Sequence, residues 1–298
     1  MRYKLTIEYD GTGLLGWQEQ QDGPSVQDYL QKSLSCFTPA PADECPQVPN
    51  TTLDDNDFSE AHDGASTERR PAAYIDVHEE ASTGKRLQVP NKIIVYGAGR
   101  TDAGVHALAQ VAHFDLKEDL EDWKLREAMN ARLRDMEAPI SVISVEKTGN
   151  DFHARFSAKG RGYVYRLLNR RAPAVLEKNR VWWVPVPLDV EKMREAAQYL
   201  VGEHDFKSFC AANAQSQTSI RTIYACTVTR ENDIITIRVQ GNGFLYNMVR
   251  IIAGTLIKVG CGEWKPEDMK EILAACDRSA AGPTAPAHGL TMIGLDYE

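Results

Sequence analysis

The sequence predicts an α+β protein made of two similar halves, each a mostly antiparallel sheet with flanking helices, around a central cleft. Three observations carry this. Apolar residues recur at period two over residues 2–9, 110–115, 140–147, 221–229 and 234–240, as half-buried strands require. They recur at helical spacing over residues 25–36, 122–134, 189–201, 244–259 and 266–275. These elements follow in a similar order before and after residue 150, without a visible sequence repeat. The chain is therefore divided into an N-terminal half, residues 1–150, and a C-terminal half, residues 151–298.

In chain order, Tyr3, Leu5, Ile7 and Tyr9 alternate with Lys4, Thr6 and Glu8, which sets one face of the first strand against a core. A turn at residues 10–13 follows, and Trp17 reads as a core residue. Ser25, with Asp28 three positions on, opens a helix that directs Val26, Tyr29, Leu30 and Leu34 inward. Residues 39–91 change character, with six prolines, many acids and little periodicity, and read as an exposed, mobile insertion whose 72–78 portion can form a short strand or extended arm. Residues 92–96 read as a short buried strand. Residues 122–134 form a helix and 140–147 a strand. Asp189 caps the next helix and Gly202 ends it. Residues 206–217 are a polar loop, and 221–229 with 234–240 form a hairpin. Asn242-Gly243 then turns into an apolar helix at 244–259, which carries Arg250. A last helix, 266–275, precedes a terminal strand at 290–297.

With 43% hydrophobic and 26% charged residues, the composition is that of a soluble protein able to bury a sizeable core. No apolar run approaches the roughly 20 residues of a membrane helix, and residues 1–4 begin no apolar leader. Cytoplasm is the expected compartment. The six cysteines are scattered without Cys-x-x-Cys spacing, so a zinc site is not expected and reduced thiols are. His106 and His113 read as hydrogen-bonded structural residues. The net charge of −8 argues against a nucleic-acid partner until its distribution is considered. Residues 40–84 hold eleven acids against Arg69 and Arg70, a net of −9, which leaves the rest of the chain at +1. A basic face on the folded body is compatible with that balance.

Such a face has a candidate. Residues 152–176 contain no acid and six basic side chains, Arg155, Lys159, Arg161, Arg166, Arg170 and Arg171, with Tyr163 and Tyr165 among them. In an extended strand Arg161, Tyr163 and Tyr165 share a face, so cations and flat rings can meet nucleotides together.

The richest stretch is residues 97–115, Gly-Ala-Gly-Arg-Thr-Asp-Ala-Gly-Val-His-Ala-Leu-Ala-Gln-Val-Ala-His-Phe-Asp. Its glycines suit a loop that comes close to a ligand. It is no dinucleotide loop, because Asp102 stands where the third glycine belongs and a strand follows. A phosphate loop would need Gly-Lys-Ser/Thr, and a zinc deaminase His-x-Glu with Cys-x-x-Cys; both are missing. What remains is one carboxylate, Asp102, with Arg100 two positions before it. Asp102 either caps its turn or acts as nucleophile or general base, with Arg100 favouring the ionised form or holding an anionic substrate. Arg250, on an otherwise apolar helix, needs a partner, which is either a structural salt bridge or the active carboxylate.

The string from Gly97 to Ala107, with Gln110-Val-Ala-His-Phe114 after it, resembles the signature of the tRNA pseudouridine synthase A family. The resemblance extends through Glu8-Tyr-Asp-Gly11, Gly16-Trp-Gln18, Phe152-His-Ala-Arg-Phe-Ser-Ala158, Tyr163-Val-Tyr165, Phe206-Lys-Ser-Phe209, Met248-Val-Arg250, Gly289-Leu290 and Asp296-Tyr297, and leaves out residues 39–91. It implies the pseudouridine synthase fold, with an active-site cleft between the halves. It also implies isomerisation of uridine to pseudouridine at positions 38, 39 and 40 of the anticodon arm of tRNA, without metal or cofactor, by a homodimer in which one tRNA touches both subunits.

By the same resemblance Asp102 is the nucleophile, attacking ribose C1′ or base C6. Tyr163 stacks on the target base, and Arg100 fills the vacated place or holds the flipped phosphate. Arg250 orients Asp102, and Leu290 lines the uracil pocket. Phe152, His153, Ala154, Arg155 and Phe156 form a segment that contacts tRNA. Two positions depart from the family: Cys210 and Gln217 stand where relatives commonly have arginine. The family form also runs almost directly from the first helix to the strand before the glycine loop, so residues 39–91 are extra. They read as a solvated spacer or, alternatively, as an acidic guard over the RNA groove. Two rival readings stay open: a non-catalytic tRNA-binding or folding protein, and a synthase of the same fold acting at another tRNA position.

Overall fold

The computed structural model describes residues 1–37, 92–211 and 218–297. The acidic insertion and Gln217 lie outside them. The first strand, β1 (Arg2–Tyr9), buries Tyr3, Leu5 and Ile7 completely, as its alternation requires. In α1 (Val26–Ser33) the Ser25 hydroxyl accepts from the Asp28 N–H at 3.2 Å, the expected cap.

The predicted strand at 92–96 is a correction. Only Tyr96–Gly97, β2, joins a ladder, although Ile93 and Val95 are buried. Val95 spends its backbone on α1 instead: its N–H goes to Gln31 Oε1 at 3.3 Å and its carbonyl accepts from Gln27 Nε2 at 2.9 Å. Two helix glutamines thus do the work of a neighbouring strand.

Next come β3 (His106–Asp115), α2 (Asp122–Asp135), β4 (Ile140–Thr148), β5 (Gly160–Leu168), β6 (Trp182–Trp183) and α3 (Val190–Gln198). The chain continues with β7 (Gly202–Asp205), β8 (Ile220–Glu231), β9 (Ile234–Gly241), α4 (Met248–Gly260), α5 (Asp268–Ala275) and β10 (Leu290–Asp296). The strand β3 starts earlier than the alternation at 110–115 suggested, inside the glycine-rich string itself. Conversely α4 starts later than residue 244, because Asn247 sits at φ +61°, a left-handed conformation that no helix can continue through.

One ten-stranded sheet runs in the order β4-β1-β3-β10-β5-β9-β8-β7, with β2 added to β3 and β6 to β5. Its pairs are antiparallel except β10 with β3 and β5 with β6. The terminal strand therefore closes the seam between strands from the two halves of the chain. It pairs with β3 at Thr291–His106 and Met292–Ala107, and with β5 at Leu290–Tyr165 and Met292–Tyr163. Because β10 and β3 are parallel, the loops that precede them emerge at the same end.

Behind the sheet, α4 is apolar nearly all round; Ile251, Ile252, Leu256 and Val259 have no exposed surface. Each such side chain contributes about 1.5–3 kcal/mol of burial. The segment before β10 lies directly on this helix. Gly282 N–H donates to Thr255 Oγ1 at 2.9 Å, and that hydroxyl donates to Ile251 O at 2.8 Å. Gly254 permits the crossing, since a methyl group there would run into the Pro283 carbonyl oxygen. Among the described residues no helix is long and apolar enough to cross a membrane.

The crossing makes a prediction. Gly254→Ala should cost about 1–3 kcal/mol through overpacking and should lower activity as well, because the displaced segment helps to hold Arg250. Thermal unfolding beside a turnover assay checks this; unchanged melting would show that the segment moves aside freely.

Candidate active site

The loop bearing Asp102 is held by the stretch after β1. Trp17 N–H donates to Thr101 O at 3.0 Å, and the hydroxyls of Tyr9 and Thr101 bond at 2.8 Å. Gly104 N–H reaches Leu14 O at 3.4 Å, and Val105 N–H closes a turn onto Asp102 O at 3.1 Å. Gly16, at φ +96°, packs so closely on Thr101 O that no side chain fits there. At the other end, Ala98 N–H donates to Val111 O at 2.8 Å and buried Gln110 donates to Gly99 O at 3.0 Å. Trp17 is buried against Gly97, the core role its sequence reading gave it.

On this frame the Asp102 carboxylate meets Arg250. Asp102 Oδ2 accepts from Arg250 Nη1 at 3.1 Å. The guanidinium is itself fixed: Nη1 donates to Asn247 Oδ1 at 2.8 Å and Nε to Ala285 O at 2.7 Å. Asn247 is the residue with left-handed backbone, and Ala285 belongs to the segment crossing α4, so both deviations from regular structure converge on one cation. Of the alternatives for Arg250, the partner is the Asp102 carboxylate. The pair is partly open, with side-chain exposures of 18% for Arg250 and 26% for Asp102. No donor among the described residues reaches the other oxygen, Oδ1.

Tyr163 lies beside them on β5, 8% exposed, its ring edge-on to Phe244 at 5.0 Å. Burial pushes its phenol up to about 12; the nearby Asp102 charge adds to this and Arg161 opposes it. It therefore stays a neutral hydroxyl at physiological pH. Burial also raises the Tyr9 phenol, against its bond from Thr101. Leu290 is buried at the start of β10, on the face shared with Tyr163 and Tyr165. Arg100 is exposed, two residues before Asp102.

The segment Phe152 to Phe156 sits at the Ala98 end of the loop. Ala98, Val111 and Ala154 form a small buried cluster there, covered by Phe152, Leu295 and Tyr297. Ala154 N–H donates to His113 Nδ1 at 3.2 Å, and Arg155 N–H to His153 Nδ1 at 3.1 Å. Phe156 is 61% exposed, with the Arg155 guanidinium 5.7 Å above its ring. Burial, then His153 and Arg2, push His113 down to about 3. Burial, Arg2 and Arg155 also lower His153. Arg2 itself is buried, forked onto Asp115 by two bonds of 2.8 Å and donating to Phe152 O at 2.8 Å.

One of the basic-strand expectations needs correction. Tyr165 has no exposed surface and donates to Pro286 O at 2.7 Å, so it is core and cannot face a nucleotide. Arg161 is engaged by backbone carbonyls. The shared face is mixed: Tyr165 is core, Tyr163 keeps a small exposed edge and Arg161 is partly exposed.

His106 holds the other side of the loop. Its Nε2 faces the carbonyls of Asn179 at 2.8 Å and His288 at 3.2 Å, so Nε2 carries the proton and Nδ1 accepts the Gly11 N–H at 3.0 Å. Asp10 Oδ1 is also 3.0 Å from Nδ1 and becomes its partner only on protonation. Burial raises the Asp10 carboxyl, but the Thr12 N–H, then His106 and Arg180, hold it below its ordinary range.

The site thus joins a carboxylate with one oxygen tethered and one open, an anchored guanidinium and a buried phenol, next to an exposed ring and cation. A family model described as tRNA pseudouridine synthase matches residues 5–157 and 196–298. The chain belongs to the tRNA pseudouridine synthase family. Proteins named tRNA pseudouridine synthase A from Brucella ovis, Brucella canis and Brucella suis are each 40% identical to it over 296 residues, 99% of this chain and 98% of the relative. The family match skips residues 158–195, which include Tyr163, so its place beside Asp102 rests on the structure.

The sequence reading missed the roles of Tyr9, Gly16 and Thr101 under the loop, of Asn247 and Ala285 around Arg250, and of buried Arg2. Tyr9, Gly16 and Thr101 do stand inside the resembling strings, which was the only available signal.

Two predictions follow from these contacts. Arg250→Lys keeps the charge but cannot serve Asp102, Asn247 and Ala285 together, so turnover should fall by about two orders of magnitude or more while tRNA affinity changes little; steady-state kinetics with a binding titration checks it. Neutral His113 makes folding pH-dependent, because its folded value lies below the ordinary 6.5. The unfolded chain takes the proton first, so this stability is complete above about pH 6.5 and is lost as pH falls toward 3, by about 2 kcal/mol at pH 5. Urea midpoints at pH 7.5 and pH 5 should fall more for the wild type than for His113→Asn; parallel falls would remove His113 from the account.

Proposed function

We propose that this protein isomerises uridine to pseudouridine in tRNA, at positions 38, 39 and 40 of the anticodon arm, with Asp102 as the nucleophile. The observation that carries this reading is the state of its carboxylate: Oδ2 is held by Arg250 at 3.1 Å, and Oδ1 is left without a protein donor among the described residues. An oxygen free to attack, on a group whose orientation is fixed, is what covalent catalysis needs.

The reaction breaks the N1–C1′ bond, turns the uracil, and joins C5 to C1′. A proton leaves C5 and one is gained at N1, so atoms and oxidation level are conserved and no redox partner enters. Attack of Asp102 on C1′ expels uracil with the bonding electrons and leaves an ester; the C5 carbon then displaces the carboxylate. Attack on C6 forms an adduct at the base, which is broken after the new bond is made. Either route returns the carboxylate unchanged. Arg250 stabilises it as an anion whenever it departs.

A stacked uridine is out of reach, so it must be flipped. Tyr163 then offers a ring to the base and Leu290 an apolar wall. Exposed Arg100 fills the vacated space or holds the phosphate. Arg155 and Phe156 present a cation and a ring to the RNA. With only +1 on the chain outside residues 40–84, one subunit has a modest field for a polyanion, which favours a homodimer sharing each tRNA, in the cytoplasm.

The test is tritium release from tRNA carrying 5-tritiated uridine. The wild type should release it, and Asp102→Asn should be slower by about 10⁴-fold with tRNA affinity within a few-fold. A silent wild type that still binds tRNA would establish the non-catalytic binding protein. Pseudouridine mapped outside positions 38–40 would reassign the substrate site.

A further inference from the structure

We propose that Arg161 is a positioning residue that locks the catalytic loop to the RNA-facing segment, and that it does not itself contact RNA. This rests on the reading of the site given above. Arg161 lies near the start of β5, between Gly160 and Gly162, and the residue is partly exposed. Nη1 donates to Asn242 O at 2.8 Å. Nη2 donates to Arg155 O at 3.0 Å and to Ala98 O at 3.4 Å. The three carbonyls come from three separate stretches. Ala98 opens the loop that ends in Asp102, Arg155 lies in the segment carrying exposed Phe156, and Asn242 stands in the turn that leads to α4 and Arg250. One planar group therefore ties together the parts that carry the nucleophile, its cation and the exposed RNA-facing side chains.

The catalytic loop and the segment Phe152 to Phe156 also meet in other ways: the Ala154 N–H donates to His113 Nδ1 at 3.2 Å, and the His153 ring lies 6.0 Å from that of Tyr96, just before the loop. The apolar cluster between them contains three small buried residues, Ala98, Val111 and Ala154, and the Tyr297 hydroxyl adds one bond to Ala154 O at 2.8 Å. No carboxylate of the described residues pairs with Arg161 within 4.0 Å, so its charge rests on carbonyl dipoles aligned by the guanidinium fork. Lysine has the charge but not the fork, and can satisfy only part of the set. The charge also reaches the site: Arg161 works against the burial that raises the phenols of Tyr163 and Tyr297.

A cation that grips phosphate and a cation that grips its own backbone respond differently to substitution. A phosphate contact is largely kept by Arg161→Lys, and its loss in Arg161→Gln reduces the salt dependence of binding by about one ion. A positioning fork fails in both variants and leaves that slope alone.

The experiment compares wild type, Arg161→Lys and Arg161→Gln. Without tRNA, amide hydrogen exchange at Ala98 and at residues 153–157 should accelerate together by about tenfold in both variants. With saturating tRNA, the single-turnover rate should fall about tenfold or more, while the dissociation constant moves less than about threefold and its salt slope is unchanged. Wild-type exchange in both variants would overturn the proposal, as would a slope lowered by about one in Arg161→Gln with the saturated rate intact. Should Arg161→Gln fail to fold, Arg161→Lys carries the same comparison. A wild type that releases no tritium would sink the proposed function, and the exchange measurement would still decide the role of Arg161.

Discussion

A guanidinium on an apolar helix must be matched, and most of this architecture serves that match. Arg250 leaves α4 toward Asp102, but the ion pair alone does not orient it. Asn247 and Ala285 supply the remaining acceptors, and each requires a departure from regular backbone. Asn247 turns left-handed just ahead of the helix. Ala285 is in place because the preceding segment crosses α4 where Gly254 leaves room. A partly exposed ion pair contributes little stability by itself. Its value lies in geometry, since a carboxylate held at one oxygen presents the other in a fixed direction.

The sheet explains how residues so far apart in sequence meet. Inserting β10 between β3 and β5 brings the loop before β3, the Tyr163 stretch of β5 and the segment before β10 to one place. Parallel pairing of β10 with β3 matters most here, because it aligns the two entering loops at the same end. An antiparallel β10 would send its preceding segment to the far end of the sheet, away from Asp102. The same seam carries Tyr165 as a buried strut against Pro286, so a residue from the basic, aromatic stretch supports the site from beneath.

Electrostatics near the site follow burial more than charge count. Burial raises the Tyr163 phenol and keeps the His113 imidazole neutral, which lets the imidazole accept an N–H from the segment Phe152 to Phe156. Arg2 is a cation turned inward onto the Asp115 carboxylate and backbone carbonyls, whereas Arg100 and Arg155 are exposed. Of the basic run, Arg155, Lys159, Arg170 and Arg171 stay exposed, and Arg161 and Arg166 are partly so.

Several features were legible in the sequence alone, because they depend on near neighbours. Strand alternation in β1, the Ser25 cap, the hairpin of β8 and β9, and the need of Arg250 for a partner are consequences of spacing and polarity. The string around Asp102 was specific enough to imply the family. Tertiary structure decided what depends on who stands opposite. It put Val95 on helix glutamines in place of a strand, turned Tyr165 from surface to support, gave Arg250 its two further acceptors, and placed β10 at the seam. These outcomes turn on contacts between residues distant along the chain, and a sequence records the chemistry of each side chain but not which distant carbonyl or ring will meet it.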